Sequence, residues 1–202
     1  MESCQKLSEA EAERGIYGSG KPLTLFLFRG FLVELNYMQI KRLIVGSIET
    51  NCYLIVSGKE MVVVDPGGSP DVILDEIKKI GIQPKHIINT HSHFDHTLAN
   101  KEIIKETGAE ILDLKEGDEV KIGDKVLKVI STPGHSKDSI CLLGEGLVLT
   151  GDTLFKDGYG RTDLAGGSEK EMKESLEGLS KLLKPGTKIY PGHGDIFDIM
   201  EK

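Results

Sequence analysis

The chain has no tryptophan, few cysteines and no long unbroken apolar run, and each scarcity removes a class of protein. The three cysteines, Cys4, Cys52 and Cys141, lie far apart with no metal-type pairing. That pattern argues against a disulfide framework and fits free thiols in a reducing cytoplasm. Cys52 and Cys141 read as small core residues of strands. Basic residues are in the minority, 25 Lys and Arg against 32 Asp and Glu, so a net charge of -7 argues against a surface that tracks nucleic-acid phosphates. The most apolar stretch, Leu23 to Leu35, is broken by Arg29, Gly30 and Glu34, and is too short and too charged to span a bilayer. Neither a basic leader nor a small-residue cleavage site precedes it, so no secretory signal is expected. With 202 residues the chain suits one domain with a sizeable core.

What is present centres on Thr90-His91-Ser92-His93-Phe94-Asp95-His96, between the apolar His86 to Asn89 and a helix-like stretch from Thr97 to Thr107. Four metal-capable side chains thus leave one buried strand together. Imidazole and carboxylate donors suit zinc, iron or manganese. One turn cannot close a coordination sphere, and further candidates stand after other short apolar runs. They are His135 in Thr132-Pro133-Gly134-His135, Asp152 in Thr150-Gly151-Asp152, and His193 in Tyr190-Pro191-Gly192-His193. Each follows a glycine, where a tight loop lets backbone crowd a metal. His86 is left over and reads as a strand-flanking residue with no metal role.

The set Asp65, His91-x-His93-x-Asp95-His96, His135, Asp152 and His193 resembles the metal signature of the metallo-β-lactamase superfamily, from Met38 to the C-terminus. Within it, His96 together with an aspartate at 152 resembles the glyoxalase II branch, the hydroxyacylglutathione hydrolases. Gly160-Arg161-Thr162-Asp163-Leu164 resembles the short glyoxalase II-like proteins, and such an Arg-Thr-Asp also occurs in related persulfide dioxygenases.

The pattern along the chain is strand-rich and mixed α/β. Strands are expected at Gln39 to Val45, Cys52 to Val56 and Met61 to Val64, with a hairpin at Gly58-Lys59. Ser69 with Pro70 predicts a capped helix ending at Gly81. Further strands are expected at Lys85 to Asn89, Glu110 to Leu112, Lys125 to Ile130, Ser139 to Leu143, Leu147 to Leu149 and Lys188 to Tyr190. Lys115 to Asp124 reads as turns, and Ser168 with Glu171 as the capping box of a helix. The resemblance supplies the architecture, an αββα sandwich of two mixed sheets flanked by helices, as one hydrolase domain over residues 38–202. Residues 1–37 do not fit it: they are either an extension packing on the domain or an upstream start assigned in error, the second being preferred.

The resemblance implies that one metal takes His91, His93 and His135, the other takes Asp95, His96 and His193, and Asp152 bridges both. Two divalent ions, zinc first with iron or manganese as alternatives, would then activate a bridging hydroxide, because bound water ionises near neutral pH. Asp95 and Asp152 are the expected catalytic carboxylates, and Asp65 is expected to support the His91 loop by hydrogen bonds. Arg161 and Tyr159, in the loop after Asp152, are candidate substrate binders; Arg161 pairing with Asp157 or Asp163 is the structural alternative. Excess positive charge at such a site favours an anionic small-molecule thioester or ester, whose leaving group needs little acid help.

A persulfide dioxygenase with one iron on His91, His135 and Asp152 is the alternative, and a lactonase or other ester hydrolase of the same fold a second. β-Lactamases of the superfamily place cysteine or serine where Asp152 stands, and flavodiiron relatives place glutamate where His93 stands, which argues against both. Longer glyoxalase II enzymes carry a helical C-terminal domain that helps bind glutathione; this chain ends at Lys202, which leaves glutathione recognition open, and the sequence does not give the oligomeric state.

Overall fold

The computed structural model describes residues 38–200 and two short strands before them, β1 (Phe26–Phe28) and β2 (Phe31–Val33), which pair antiparallel. The expectation for residues 1–37 otherwise lies outside the described residues.

The first half contributes β3 (Gln39–Val45), β4 (Thr50–Ser57), β5 (Glu60–Val64), α1 (Pro70–Ile80), β6 (Pro84–Ile88), α2 (Phe94–Thr97), α3 (Asn100–Thr107) and β7 (Glu110–Ile111). Its strands form a five-stranded sheet in sequence order, antiparallel from β3 to β5 and parallel from β5 to β7. The second half contributes β8 (Glu119–Ile122), β9 (Lys125–Ser131), β10 (Ile140–Gly144), β11 (Leu147–Gly151), α4 (Glu169–Leu182), β12 (Lys188–Pro191) and β13 (Phe197–Asp198). These form a six-stranded sheet, ordered β13-β12-β11-β10-β9-β8, in which β11 and β12 run parallel. Parallel neighbours need a crossover, and α1 and α4 supply one in each half.

Side-chain alternation sorts the apolar residues into three layers. Ile40, Tyr53, Ile55, Val62 and Val64 meet Val120, Leu127, Val129, Leu142 and Leu149 between the sheets. Ile73, Ile77 and Ile103 of α1 and α3 cover the outer face of the first sheet, on Leu54, Val63 and Ile87. Leu179 of α4 covers the second, on Cys141, Val148 and Ile189. At about 25 cal/mol per Å² of apolar area removed from water, these layers are the main stabilising term. The architecture is therefore the expected sandwich of two mixed sheets with helices outside.

Three local expectations need correction. Ser69 does not cap α1 with its side chain: it sits at φ 46, and its hydroxyl accepts from the Gly46 N–H at 3.2 Å, tying the helix start to the β3–β4 turn. The helix expected from Thr97 to Thr107 is two helices, because the Ala99 N–H donates to Pro66 O and leaves the helical ladder. The α2 piece starts at Phe94, so Asp95 and His96 sit on a helical turn. The passage read as turns contains β8, whose Val120 and Ile122 enter the core while Glu119 and Lys121 face out. Ser168 does cap α4, its hydroxyl accepting from Glu171 N–H at 3.2 Å.

Candidate metal centre

In each half the loops at the carboxyl ends of the parallel strands carry the chemistry, as open α/β sheets favour. β5 leads to Asp65, β6 to His91, β11 to Asp152 and β12 to His193; β9, from the antiparallel part, leads to His135. The loops are locked by backbone bonds, Gly192 N–H to Gly151 O and Gly160 N–H to Asp152 O among them. Gly192 has no room for a side chain: a Cβ there would lie 2.3 Å from Asp152 Oδ1 and 2.8 Å from His96 Cε1. Gly151, at φ 47, would put a Cβ 2.5 Å from Thr90 Oγ1.

All seven candidate ligands converge. Their donor atoms form three groups, each within 4.8 Å: His91, His93 and His135; Asp95, His96 and His193; and His91, His96 and Asp152. His93 Nδ1 and His135 Nε2 stand 2.8 Å apart. Asp95 Oδ2 lies 3.2 Å from His193 Nε2 and 3.4 Å from His96 Nε2. Asp152 reaches both groups, with Oδ1 3.4 Å from His96 Nε2 and Oδ2 3.6 Å from His135 Nε2 and 3.7 Å from His193 Nε2. His86 is in none of the groups.

A ring of partners aims these side chains. Asp65, buried at the left-handed φ of 50, accepts from Thr90 N–H and Thr90 Oγ1–H at 2.7 Å each, and its Oδ2 lies 2.9 Å from His96 Nδ1. A non-glycine residue held in that conformation costs about 1–3 kcal/mol and persists where surrounding structure fixes it. Arg161 O accepts from His135 Nδ1 at 2.8 Å, which fixes that tautomer and leaves Nε2 for the cluster.

The donor set fits divalent cations. Setting aside His96 Nδ1, which faces the Asp65 carboxylate at 2.9 Å, three buried polar atoms of the cluster, His91 Nε2, His96 Nε2 and Asp152 Oδ1, have no hydrogen-bond partner among the described residues. An unsatisfied buried polar atom costs about 1–3 kcal/mol, so three in one place call for a common partner. Protonation agrees. Burial, then neighbouring His96, pushes His91 down to about 3, and burial lowers His93 as well. Burial would raise Asp152, but His96 beside it holds the carboxyl at about 2. Burial would likewise lower His96, but Asp65 and Asp152 overcome it and lift the ring to about 10. At neutral pH His91 and His93 are thus neutral and Asp152 is ionised, as ligands must be, while His96 carries a proton that a bound cation would displace.

A cleft of about 470 Å³ opens onto the cluster, lined by His93, Asp95, His135, Asp152 and His193 together with Arg161 and several apolar side chains. The Arg161 guanidinium is paired with Asp163, donating from Nε at 2.8 Å and from Nη2 at 2.7 Å. Tyr159 is not among the ligands: its hydroxyl donates to Glu169 at 3.1 Å, and it lines a neighbouring cleft of about 500 Å³ that also touches His193. Sequence reasoning missed the clamp on the His193 loop. Asn51 Nδ2 donates to Pro191 O and Gly194 O at 2.9 Å each, Tyr53 OH to Pro191 O at 2.6 Å, and Arg42 to Gly194 O at 3.0 Å. Nothing in sequence spacing signals these contacts, which span about 140 residues of chain.

Two mixed sheets with a histidine and aspartate cluster at their loop edge define a metal-site α/β sandwich, and comparison with known proteins gives it a family. The metallo-beta-lactamase superfamily model matches residues 45–112 and 109–193, and the chain belongs to that superfamily. It is 35% identical to a probable metallo-hydrolase of Methanocaldococcus jannaschii, over 75% of this chain and 90% of that one. It is 36% identical to a hydroxyacylglutathione hydrolase of Anaeromyxobacter dehalogenans, over 70% of this chain and 60% of that enzyme's length. The crystal structure of ETHE1 from Myxococcus xanthus superposes with a TM-score of 0.75 at 30% identity, over 80% of each chain.

Proposed function

We propose that the chain is a hydrolase with two divalent ions that cleaves thioesters or related esters in the manner of glyoxalase II. The observation that carries this reading is the group of orphaned buried donors, His91 Nε2, His96 Nε2 and Asp152 Oδ1, inside a seven-residue ligand set. The likeness to a hydroxyacylglutathione hydrolase supports the thioester class. His91, His93 and His135 would hold one ion and Asp95, His96 and His193 the other, with Asp152 shared. When bound, the pair supplies Lewis acidity and a water nucleophile that ionises near neutral pH.

The chain's own residues do the rest. Asp65 turns the His96 ring, and the Arg161 carbonyl fixes His135 with Nε2 toward the cluster. Asp152, ionised without any cation, spans the two groups. Asp95 balances charge beside His96 and His193. A thiolate leaves without a general acid, which suits a cleft whose carboxylates are committed as ligands. Zinc suits the imidazole-rich set, and iron or manganese are the other candidates. Two buried free thiols, Cys52 and Cys141, support work in a reducing cytoplasm.

A second reading is persulfide dioxygenation at one iron held by His91, His135 and Asp152. It is supported by the likeness to the ETHE1 structure, at 30% identity over 80% of this chain. The test is hydrolysis of a thioester, lactone and persulfide panel by protein of known metal content. Thioester cleavage at two ions per chain supports the first reading, and oxygen uptake with persulfide at one iron supports the second.

A further inference from the structure

Among the described residues, three large exposed apolar side chains stand around one opening. Ile48, 50% exposed, lies in the turn between β3 and β4; Phe94, 68% exposed, opens α2; Leu164, 40% exposed, lies in the loop after β11. With Phe155 they line the cleft that contains the ligand cluster. A single exposed leucine needs no explanation, but apolar side chains brought by three separate segments to the mouth of a polar site do. Small-molecule clefts are built this way, with apolar walls and a few convergent polar groups. The arginine in the wall does not make it cationic, because Nε and Nη2 already face the Asp163 carboxylate, whose charge offsets that of the guanidinium. An anionic substrate would meet the Asp163 carboxylate beside that arginine.

We infer that the cleft takes an uncharged, apolar acyl group, with Ile48, Phe94 and Leu164 gripping its alkyl chain while its carbonyl lies at the cluster. This rests on the reading of the chain as a thioester or ester hydrolase. The bonds exchanged are unchanged. Water oxygen joins the acyl carbon as the carbon–sulfur bond breaks, the thiolate leaves with the electron pair, and the released protons pass to solvent. What the walls add is binding: each methylene fully withdrawn from water is worth about fourfold in an equilibrium.

The test is a chain-length series of N-acetylcysteamine thioesters, acetyl to octanoyl with succinyl as the anionic member, on the metal-loaded protein. Beside it, calorimetry follows binding of the uncleavable S-ethyl and S-octyl thioethers. Octanoyl should exceed acetyl in kcat/KM by roughly tenfold to a hundredfold, and S-octyl should bind tighter than S-ethyl by a similar factor, the effect of two to three fully buried methylenes. In the Ile48→Ser, Leu164→Ser double variant both ratios should fall toward one. The ratio is taken within each protein, so a general loss of activity cancels, and both positions are exposed loop sites whose replacement leaves the core intact. A flat profile, or succinyl preferred over butyryl, overturns the inference and leaves the hydrolase reading standing. No cleavage at any length with both ions in place overturns the hydrolase reading instead. The thioethers then decide the cleft alone, S-octyl tighter than S-ethyl supporting it and equal affinities overturning it.

Discussion

Replacing Asp65 by asparagine tests how far a residue that offers no ligand controls the metal site. The wild-type carboxylate accepts two hydrogen bonds from Thr90 at 2.7 Å and faces His96 Nδ1 at 2.9 Å. Asparagine keeps the size and tolerates the left-handed backbone at φ 50, so shape and strain are nearly unchanged. Its oxygen still accepts from one Thr90 donor, but its amide presents N–H groups to the other and to His96, and the negative charge is gone. One charge-assisted hydrogen bond is lost, about 1.5–3 kcal/mol, so the protein stays folded with a lowered Tm. Metal affinity should fall roughly tenfold to a hundredfold, the usual effect of removing the partner that aims a histidine ligand. The ion held by His96 should be lost first. Competition against a chromophoric chelator measures both binding steps, with a melting curve as control. Unchanged affinity for both ions would refute the claim that Asp65 aims His96.

The shared carboxylate makes a sharper distinction: Asp152→Ala should release both ions and abolish hydrolysis, whereas His193→Ala should chiefly empty one position, read by metal analysis after gel filtration. Gly192→Ala should lower metal affinity without adding or removing a donor, since its methyl would start 2.3 Å from Asp152 Oδ1; overpacking of this kind costs about 1–3 kcal/mol in a melting curve. Asn51→Ala removes two bonds that pin the His193 loop and should destabilise the fold by about 1–3 kcal/mol in urea titration, with a weakened second ion. Arg161→Ala should leave metal content unchanged, because the contact to His135 comes from its backbone carbonyl.

The convergence of the candidate ligands was legible in the sequence because metal chemistry restricts residue type and the turns restrict position. Four donors within one short turn can scarcely avoid one another, and His135, Asp152 and His193 each follow a strand and a glycine that the backbone needs. The strands from Gln39 to Val64 and the hairpin at Gly58-Lys59 were legible for a similar reason, since β-branched alternation marks the strands and the glycine marks the turn. What was hidden depends on long-range contact. The break between α2 and α3 follows from Ala99 bonding to Pro66, a partner 33 residues away that local propensity cannot register. Ser69 looked like a cap, but the Gly46 amide of the β3–β4 turn competes for its hydroxyl. β8 was masked by Gly117 and Gly123 at its ends, although its own four residues alternate in and out. The apolar mouth of Ile48, Phe94 and Leu164 has no sequence period, because its members come from three separate segments.

The central claim, a two-ion centre built on a shared carboxylate, is tested most directly by titrating metal-free protein with zinc and counting equivalents. The account predicts two equivalents taken up by the native chain and a loss of both in Asp152→Ala. Saturation at a single equivalent, unaffected by His193→Ala, would contradict it.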